Sequence, residues 1–163
     1  MRLRVPLVDE GHGRLLIGGS RYLLIRPETL AALQRAVEAA LGPRAAECFV
    51  AGGRAGGARV AQGLQGSPRE RALRVMEMGT AIGWGAFALE RLDAAELVVR
   101  VSHSPFAEAY GAAPGPVCHL TRGVLEAVAA ALLERPLPVV ETACVAAGAQ
   151  ACRFATVAAG GAR

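Results

Sequence analysis

The sequence is poor in several features that mark common classes of protein. Aromatic residues make up only 4% of its 163 residues, lysine is absent, and the 18 basic residues are all arginines spread among acids. No basic cluster occurs, so the net charge of +4 does not form the continuous positive surface that binds nucleic acid. Stacking on single-stranded bases also needs aromatic side chains. We therefore expect no nucleic-acid partner.

Long apolar stretches are missing as well. No apolar run approaches the roughly 20 residues that span a bilayer, and residues 1–13 lack the apolar core and cleavage site of a signal peptide. We therefore expect a cytoplasmic protein with no membrane partner. Because the cytosol keeps thiols reduced, the four cysteines are less easily explained as disulfides.

The composition that remains is that of a folded domain. Hydrophobic residues make up 53% of the chain and charged residues 20%, a balance typical of globular proteins. The length fits one domain spanning residues 1–163, with a core over about residues 13–158. The terminal residues 158–163, AAGGAR, are expected to fray.

Apolar periodicity and turn residues predict the order of the elements. A β-hairpin is expected over residues 13–27, followed by helices over 27–42, 43–64 and 68 to about 91. A strand from Glu96, a helix from Val117 to about Leu133 and a final hairpin with its turn near Gly148 complete the series. This order predicts an α/β (α+β) fold, a mixed, mainly antiparallel sheet with helices packed on it.

The second predicted helix contains the glycine-rich run AGGRAGG. Its pairs Gly52/Gly56 and Gly53/Gly57 are spaced four residues apart and would form a bare helix face. Each interior glycine destabilises a helix by about 1 kcal/mol relative to alanine, so close approach of another backbone or of a ligand is expected there. Tight helix packing is the simpler of these two interpretations.

Three of the four cysteines are clustered in the C-terminal third. Cys144 and Cys152 are equidistant from Gly148 and would face each other across the hairpin. Cys118 begins a helix, where the dipole favours a thiolate. Glu141 precedes Cys144 by three residues, so it shares the same face only if the strand has a bend or bulge near Thr142.

These residue types in this pattern are those of a thiolate-rich zinc site. Three thiolates and one carboxylate would leave a net charge of −2, which Arg122, Arg153 or backbone N–H groups are expected to offset. The residues alone also allow a Cys144–Cys152 disulfide or three ordinary buried thiols.

Three segments, SPFAEAYG, PVCHLTRG and ETACVAAGAQACRF, resemble the 4-vinyl reductase (4VR) domain. The resemblance covers roughly residues 21–157 and is most specific in the C-terminal half. This family is named after a protein of bacteriochlorophyll synthesis, and it includes hydrocarbon-binding proteins and the phenol-sensing domains of bacterial transcription activators. The resemblance implies a fold similar to that of TRAPP trafficking-complex subunits, with a homodimer as the expected assembly.

The resemblance also implies a metal. In the phenol sensors a zinc ion is held by a Cys, a Glu and two further Cys at spacings of 23, 3 and 8 residues, which Cys118, Glu141, Cys144 and Cys152 match. Four protein ligands would close the coordination shell, as in structural sites. No ATPase or DNA-binding segment accompanies this domain in the sequence, so signal output would require a protein partner.

A closed apolar pocket between helices and sheet is the further implication of the resemblance. By chemistry alone, the candidate ligand-binding residues are Trp84, Phe87, His103, Phe106 and Tyr110. His103 would supply a hydrogen bond to a ligand hydroxyl, although a solvated strand-end histidine is the simpler interpretation. Trp84 and Phe87 would share one helical face, where plain core packing is the alternative.

The function expected from these observations is binding or sensing of a small hydrophobic or aromatic molecule, with zinc as a structural cofactor. Two alternatives remain: a dimeric scaffold, or an accessory protein of tetrapyrrole (vinyl reductase-like) metabolism. Direct reduction is not expected, because the sequence has no nicotinamide, flavin or iron–sulfur motif to supply a hydride. No catalytic residue is therefore predicted.

Overall fold

The structure, a computed structural model, describes residues 7–17 and 19–157. Gly18 of the predicted hairpin turn and the terminal segment 158–163, for which fraying was predicted, lie outside the described residues. The strands are β1 (Leu7–Asp9), β2 (Arg14–Ile17), β3 (Ser20–Tyr22), β4 (Ala86–Leu92), β5 (Leu97–Ser102), β6 (Val139–Ala143) and β7 (Cys152–Thr156). The α-helices are α1 (Pro27–Leu41), α2 (Ala45–Gln62), α3 (Pro68–Ala81), α4 (Pro105–Tyr110) and α5 (His119–Leu133).

The N-terminal hairpin is present and gains one strand. β2 and β3 pair antiparallel, with Ile17 opposite Ser20, and β1 pairs antiparallel with β2 to make a small three-stranded sheet. The sequence predicted that this hairpin continues to residue 27. Instead, Leu23, Leu24 and Ile25 follow β3 without strand pairing, and their side chains are exposed.

The first three predicted helices are confirmed, the third with a different end. α1 begins at Pro27, whose fixed φ suits the first helical position. The cap of α3 is a full capping box, in which the Ser67 side chain and the Glu70 backbone N–H pair while the Glu70 carboxylate accepts the Ser67 N–H. These local signals are readable from sequence because each involves residues within one turn.

The expectation that the third helix continues to about Arg91 is wrong. α3 ends at Ala81, and Gly83 and Gly85 take φ values of +86° and +110°, which place them outside helical geometry. The chain then enters β4, so Trp84 lies in the connecting loop and Phe87 lies on a strand. The apolar spacing of this stretch fits both the helical and the strand repeat. The two glycines break the helix.

The main sheet has four strands in the order β4-β5-β7-β6, and every pairing in it is antiparallel. β5 lies between β4 and β7, and its residues Leu97–Val99 and Val101 are buried. The predicted C-terminal hairpin is therefore the β6–β7 pair, and the strand predicted from Glu96 is β5.

Helix α2 packs directly against α5 through glycines on both. A Cβ placed on Gly53 would lie 2.2 Å from the Leu120 carbonyl oxygen, and one placed on Gly123 would lie 2.1 Å from the Val50 carbonyl oxygen. Helix packing thus accounts for the inner pair Gly53/Gly57. The outer pair Gly52/Gly56 is exposed, and a Cβ on Gly56 would meet nothing within 4 Å.

One buried cluster joins α3 and α5 to the main sheet. Its largest members come from β5, α5 and β7, and they include Leu97, Val99, Val101, Leu125, Val128 and Phe154. The predicted fold class, helices packed on an antiparallel sheet, is confirmed. Within residues 7–17 and 19–157, no helix combines the length and apolarity that crossing a membrane requires.

Candidate functional site

The structure brings the four predicted metal ligands together. Cys118 is the residue immediately before α5, Glu141 lies in β6, Cys144 follows β6, and Cys152 begins β7. One ligand atom from each, three Sγ atoms and a carboxylate oxygen, lie within 4.8 Å of one another. All four residues are buried, with the three cysteines at most 2% exposed.

A bulge in β6 resolves the spacing of Glu141 and Cys144. Glu141 pairs with Phe154 and Ala143 pairs with Arg153, so Thr142 is an extra residue with no partner of its own in the ladder. A regular strand would place residues three apart on opposite faces. The bulge, expected near Thr142 from the sequence, turns both side chains toward the same cluster.

Hydrogen bonds surround the cluster with polar donors. The Cys118 backbone N–H donates to Glu141 Oε2 at 2.9 Å, and the Val145 N–H donates to Cys152 Sγ at 3.4 Å. The Ser104 hydroxyl lies 3.5 Å from Cys118 Sγ. Backbone groups thus oppose the negative charge, as expected.

The two arginines named as counter-charges pair elsewhere. Arg122 donates to Glu47 at 2.9 Å, and Arg153 donates to Glu90 at 2.8 Å. The electrostatic balance of the cluster therefore depends on the backbone N–H groups and Ser104 rather than on these two side chains.

One atom at the cluster lacks a partner. Glu141 Oε1 is buried, and no residue that the structure describes offers it a hydrogen bond. An unsatisfied buried carboxylate oxygen is destabilising, and a cation bound between it and the three sulfur atoms would satisfy it. The donor set therefore fits zinc, which prefers thiolates and accepts carboxylate oxygen.

The ionisation of the metal-free cluster is strongly perturbed. Burial, together with the neighbouring Cys144 sulfur, raises the pKa of Glu141 to about 8. Hydrogen bonds with Cys144 and Cys152, and burial, raise the pKa of Cys118 far above its ordinary value. The bond with Cys118 lowers the pKa of Cys152, but contact with Cys144 and burial outweigh it and raise that pKa to about 12. Hydrogen bonds from the other two thiols lower the pKa of Cys144.

The thiols of the cluster are close to one another but not bonded. Cys118 Sγ and Cys152 Sγ are 3.6 Å apart, and all four cysteines are free. Cys48, which stands apart in the sequence, is exposed on α2 and takes no part in the cluster.

Two of the five predicted ligand-binding residues form a contact pair. The Trp84 and Phe106 rings meet edge to face, with centroids 5.0 Å apart and an angle of 79° between the planes, a favourable aromatic geometry. Both are half-buried, as is Phe87, which packs against α3 at Gly79. The prediction that Trp84 and Phe87 share a helical face is wrong, because neither residue is in a helix.

Tyr110 and His103 lie at the two ends of α4. The Tyr110 hydroxyl donates to Glu38 Oε2 at 2.6 Å, and the Arg35 guanidinium lies 4.8 Å from the centre of its ring. His103 is in the left-handed region with φ of +55°, and its side chain is 86% exposed, 3.7 Å from the Glu108 carboxylate. The structure thus places the imidazole in solvent rather than beside the aromatic pair.

A groove of about 490 Å³ lies elsewhere, between α2, α5 and the segment 136–138. Its lining includes Arg54 and Glu126, an ion pair at 2.5 Å, and none of the five predicted ligand-binding residues. Glu126 also accepts the Val139 backbone N–H at 3.2 Å. This pair therefore connects both helices to the first residue of β6.

Comparisons with known proteins find a matching family model and similar solved structures. Residues 97–158 match the V4R domain family, which confirms the resemblance where the sequence motifs are most specific. The fold is similar to the crystal structure of the phenol-responsive sensory domain of the transcription activator PoxR with phenol: the TM-score is 0.81 and the identity 23%, over 95% of this chain and 84% of that one.

A vinyl-4-reductase family protein from Methanocaldococcus jannaschii is also similar. That comparison has a TM-score of 0.58 and 15% identity, and it covers 85% of this chain and 83% of the other. Among curated proteins, no sequence match is found.

Helix α4 and its cap at Ser104 were not predicted from the sequence. No helix was expected between the strand from Glu96 and the helix from Val117, whereas Pro105–Tyr110 is helical, with the Ser104 side chain accepting the Ala107 N–H as a cap. The dipeptide Ser104-Pro105 is a usable start signal, because serine caps helices and proline favours the first helical position.

Proposed function

We propose that this chain is a binding domain for a small hydrophobic or aromatic molecule, stabilised by one zinc ion. The observation that supports the metal site is the burial of four ligand atoms within 4.8 Å of one another, with Glu141 Oε1 left without a hydrogen-bond partner. Cys118, Glu141, Cys144 and Cys152 would hold the ion. We propose a single domain over residues 1–163, with its core over about residues 13–158.

Zinc in this position would act structurally. Four protein ligands close the shell and leave no position for a reactive water. The ligands come from the start of α5 and from both strands of the β6–β7 hairpin. Binding would therefore join these elements and contribute to the free energy of folding.

Support for small-molecule binding comes from the V4R match and from the solved relative, which was crystallised with phenol. In this chain the half-buried Trp84–Phe106 pair offers an aromatic contact, and Phe87 and Tyr110 are the further candidate contacts. His103 is left out, because its imidazole faces solvent. We propose a non-enzymatic role, with a protein partner for signal output.

A dimer is the second part of the proposal. Six large hydrophobic side chains are exposed among the described residues, and five of them fall between residues 23 and 41. Concentrated apolar exposure usually marks a protein interface. We propose that a second copy of this chain covers the exposed face that contains Leu33 and Leu41 of α1.

The test of the metal is the zinc content of protein purified without added metal, for the wild type and Cys152→Ser. We expect about one zinc per chain in the wild type, its loss in the variant, and a lower melting temperature after chelation. Zinc-free wild-type protein in which all four thiols react with a thiol reagent would contradict the proposal.

The test of the ligand site uses phenol as the probe. We expect saturable quenching or enhancement of Trp84 fluorescence and a rise in melting temperature. Phe106→Leu should weaken phenol binding about tenfold, as expected for a lost aromatic contact worth roughly 1 kcal/mol or slightly more. Phe49→Leu, which removes another half-buried ring from α2, is the matched control. Equal effects of both variants would contradict the assignment.

A further inference from the structure

Helix α4 is too short to hold its own position. It has six residues, Pro105–Tyr110, and isolated helices below about 12 residues are marginal in water. Its placement is therefore decided by its contacts with the rest of the molecule. Phe106, in its first turn, forms half of the aromatic pair with Trp84, so whatever holds α4 also sets the geometry of that pair.

The start of α4 is fixed to the candidate metal centre. Ser104 is 2% exposed, and its Oγ lies 3.5 Å both from Cys118 Sγ and from the Ala107 N–H of α4. A serine hydroxyl donates one hydrogen bond and accepts others. It can therefore accept the Ala107 N–H while it donates to a Cys118 thiolate, which links a metal ligand to the helix cap.

A second connection lies just after α4. The Ala113 N–H donates to the Ala146 carbonyl at 2.8 Å, and Ala146 belongs to the one-turn 3-10 helix Val145–Ala147 that follows Cys144. Both flanks of α4 are thus bonded to segments that carry metal ligands. The turn between Cys144 and Cys152 cannot shift without disturbing this bond.

We propose that Ser104 couples the metal centre to the Trp84–Phe106 pair: its hydroxyl holds the start of α4 against Cys118, so that a bound metal fixes Phe106 beside Trp84. Ser104 is a positioning residue that acts through α4. This inference rests on the zinc centre proposed above. Binding linkage is reciprocal, so if zinc raises the affinity for a ligand that contacts Phe106, that ligand raises the affinity for zinc by the same factor.

The chain contains a built-in reporter for this coupling, because Trp84 is its only tryptophan. In the wild type, zinc removal by a chelator under reducing conditions should change Trp84 emission and speed amide exchange over residues 105–113. Zinc alone, without any organic ligand, should restore both signals.

The key variants remove the Ser104 hydroxyl. Ser104→Ala and Ser104→Gly should each weaken zinc binding about tenfold. This is the lower end of the effect expected when a partner that orients a metal ligand is lost. In both, zinc should no longer restore the wild-type Trp84 emission, whereas Ser104→Thr should. Glycine is included because it caps helices almost as well as serine. Ser67→Ala, which removes the capping hydroxyl of α3, controls for cap loss alone.

Two results would overturn the coupling. One is a wild-type protein that binds zinc with Trp84 emission and exchange over 105–113 unchanged, which would leave the zinc centre standing. The other is a Ser104→Gly variant with wild-type zinc affinity and zinc-dependent emission. A wild-type protein that binds no zinc on titration would overturn the centre and the coupling together.

Discussion

Glu141 Oε2 accepts the backbone N–H of Cys118 at 2.9 Å, across 23 residues of sequence. This bond fixes one oxygen of a buried carboxylate and leaves the other, Oε1, with no partner among the described residues. The start of α5 and strand β6 are thereby held together. The carboxylate is already oriented for a cation before one binds, which reduces the ordering that metal binding requires.

Glu141→Gln should separate the two roles of this side chain. The amide oxygen can still accept the Cys118 N–H, but the negative charge is lost. We expect zinc affinity to fall by about tenfold or more, with far-ultraviolet circular dichroism unchanged. Competition with a chromophoric chelator measures the affinity, and Glu28→Gln, at an exposed acid on α1, is the control. Unchanged affinity in Glu141→Gln would exclude the carboxylate as a ligand.

The Cys/Glu cluster was predictable because Glu141, Cys144 and Cys152 lie within one hairpin and because such a group of thiols and a carboxylate is unusual. Thiolates on either side of a hairpin turn constrain the register, and the position of Glu141 then requires the bulge found at Thr142. The α3–β4 boundary was not predictable in this way. Leu73, Met76, Trp84 and Phe87 fit a helical stripe. Gly83 and Gly85 break the helix, and pairing with β5 then holds the residues after Gly85 as a strand.

The placement of the predicted ligand residues also depended on long-range structure. Trp84 and Phe106 are 22 residues apart in sequence and meet only because α4 packs beside the loop after α3. His103 had the right chemistry, but a left-handed backbone conformation turns it outward. The orientation of these side chains is set by the neighbouring elements, and a local sequence pattern does not encode it.

Gly123→Ala should strongly destabilise the fold. A Cβ there would lie 2.1 Å from the Val50 carbonyl oxygen, so α2 and α5 must move apart. We expect a loss of at least about 3 kcal/mol in the free energy of unfolding, the upper end for overpacking. Urea denaturation measures this. Gly56→Ala, with open space at its Cβ, should instead stabilise by roughly 0.5–1 kcal/mol. Equal responses would contradict the helix packing described.

Glu126 should prove structural rather than part of a ligand site. It is 8% exposed and joins Arg54 of α2 to the Val139 N–H of β6. Glu126→Gln keeps an acceptor and should lower the free energy of unfolding by about 1 kcal/mol. Glu126→Ala leaves the Val139 N–H without an acceptor and should lower it by about 2–3 kcal/mol. Thermal and urea unfolding test this order, with Glu28→Ala as a surface control. A Glu126→Ala variant as stable as Glu126→Gln would contradict this structural role.

Leu33→Arg should disrupt the proposed dimer. The Leu33 side chain is 53% exposed on α1, and a buried, unpaired charge at an interface is strongly unfavourable. Light scattering after gel filtration should change from twice the chain mass of 16.8 kDa to that mass. Leu73→Arg, at a leucine 41% exposed on α3, should leave the dimer intact. A monomeric wild type would exclude the dimer outright.

Zinc binding should release about three protons at pH 7, because all four ligands must be deprotonated to bind the ion. In the metal-free cluster the pKa values of Cys118 and Cys152 lie above 7, so these two thiols supply two protons. The pKa of Glu141 is raised to about 8 while that of Cys144 is lowered, so this pair holds one proton. Apparent zinc affinity should therefore rise with pH, close to a thousandfold per unit between pH 6 and 7.5.

Calorimetry in buffers of different ionisation enthalpy counts these protons directly. Cys152→Ser removes one acidic ligand proton, so the count should fall to about two where zinc still binds. Release of one proton or none by the wild type would contradict zinc binding at the buried cluster, because the Cys118 and Cys152 thiols would each lose a proton there.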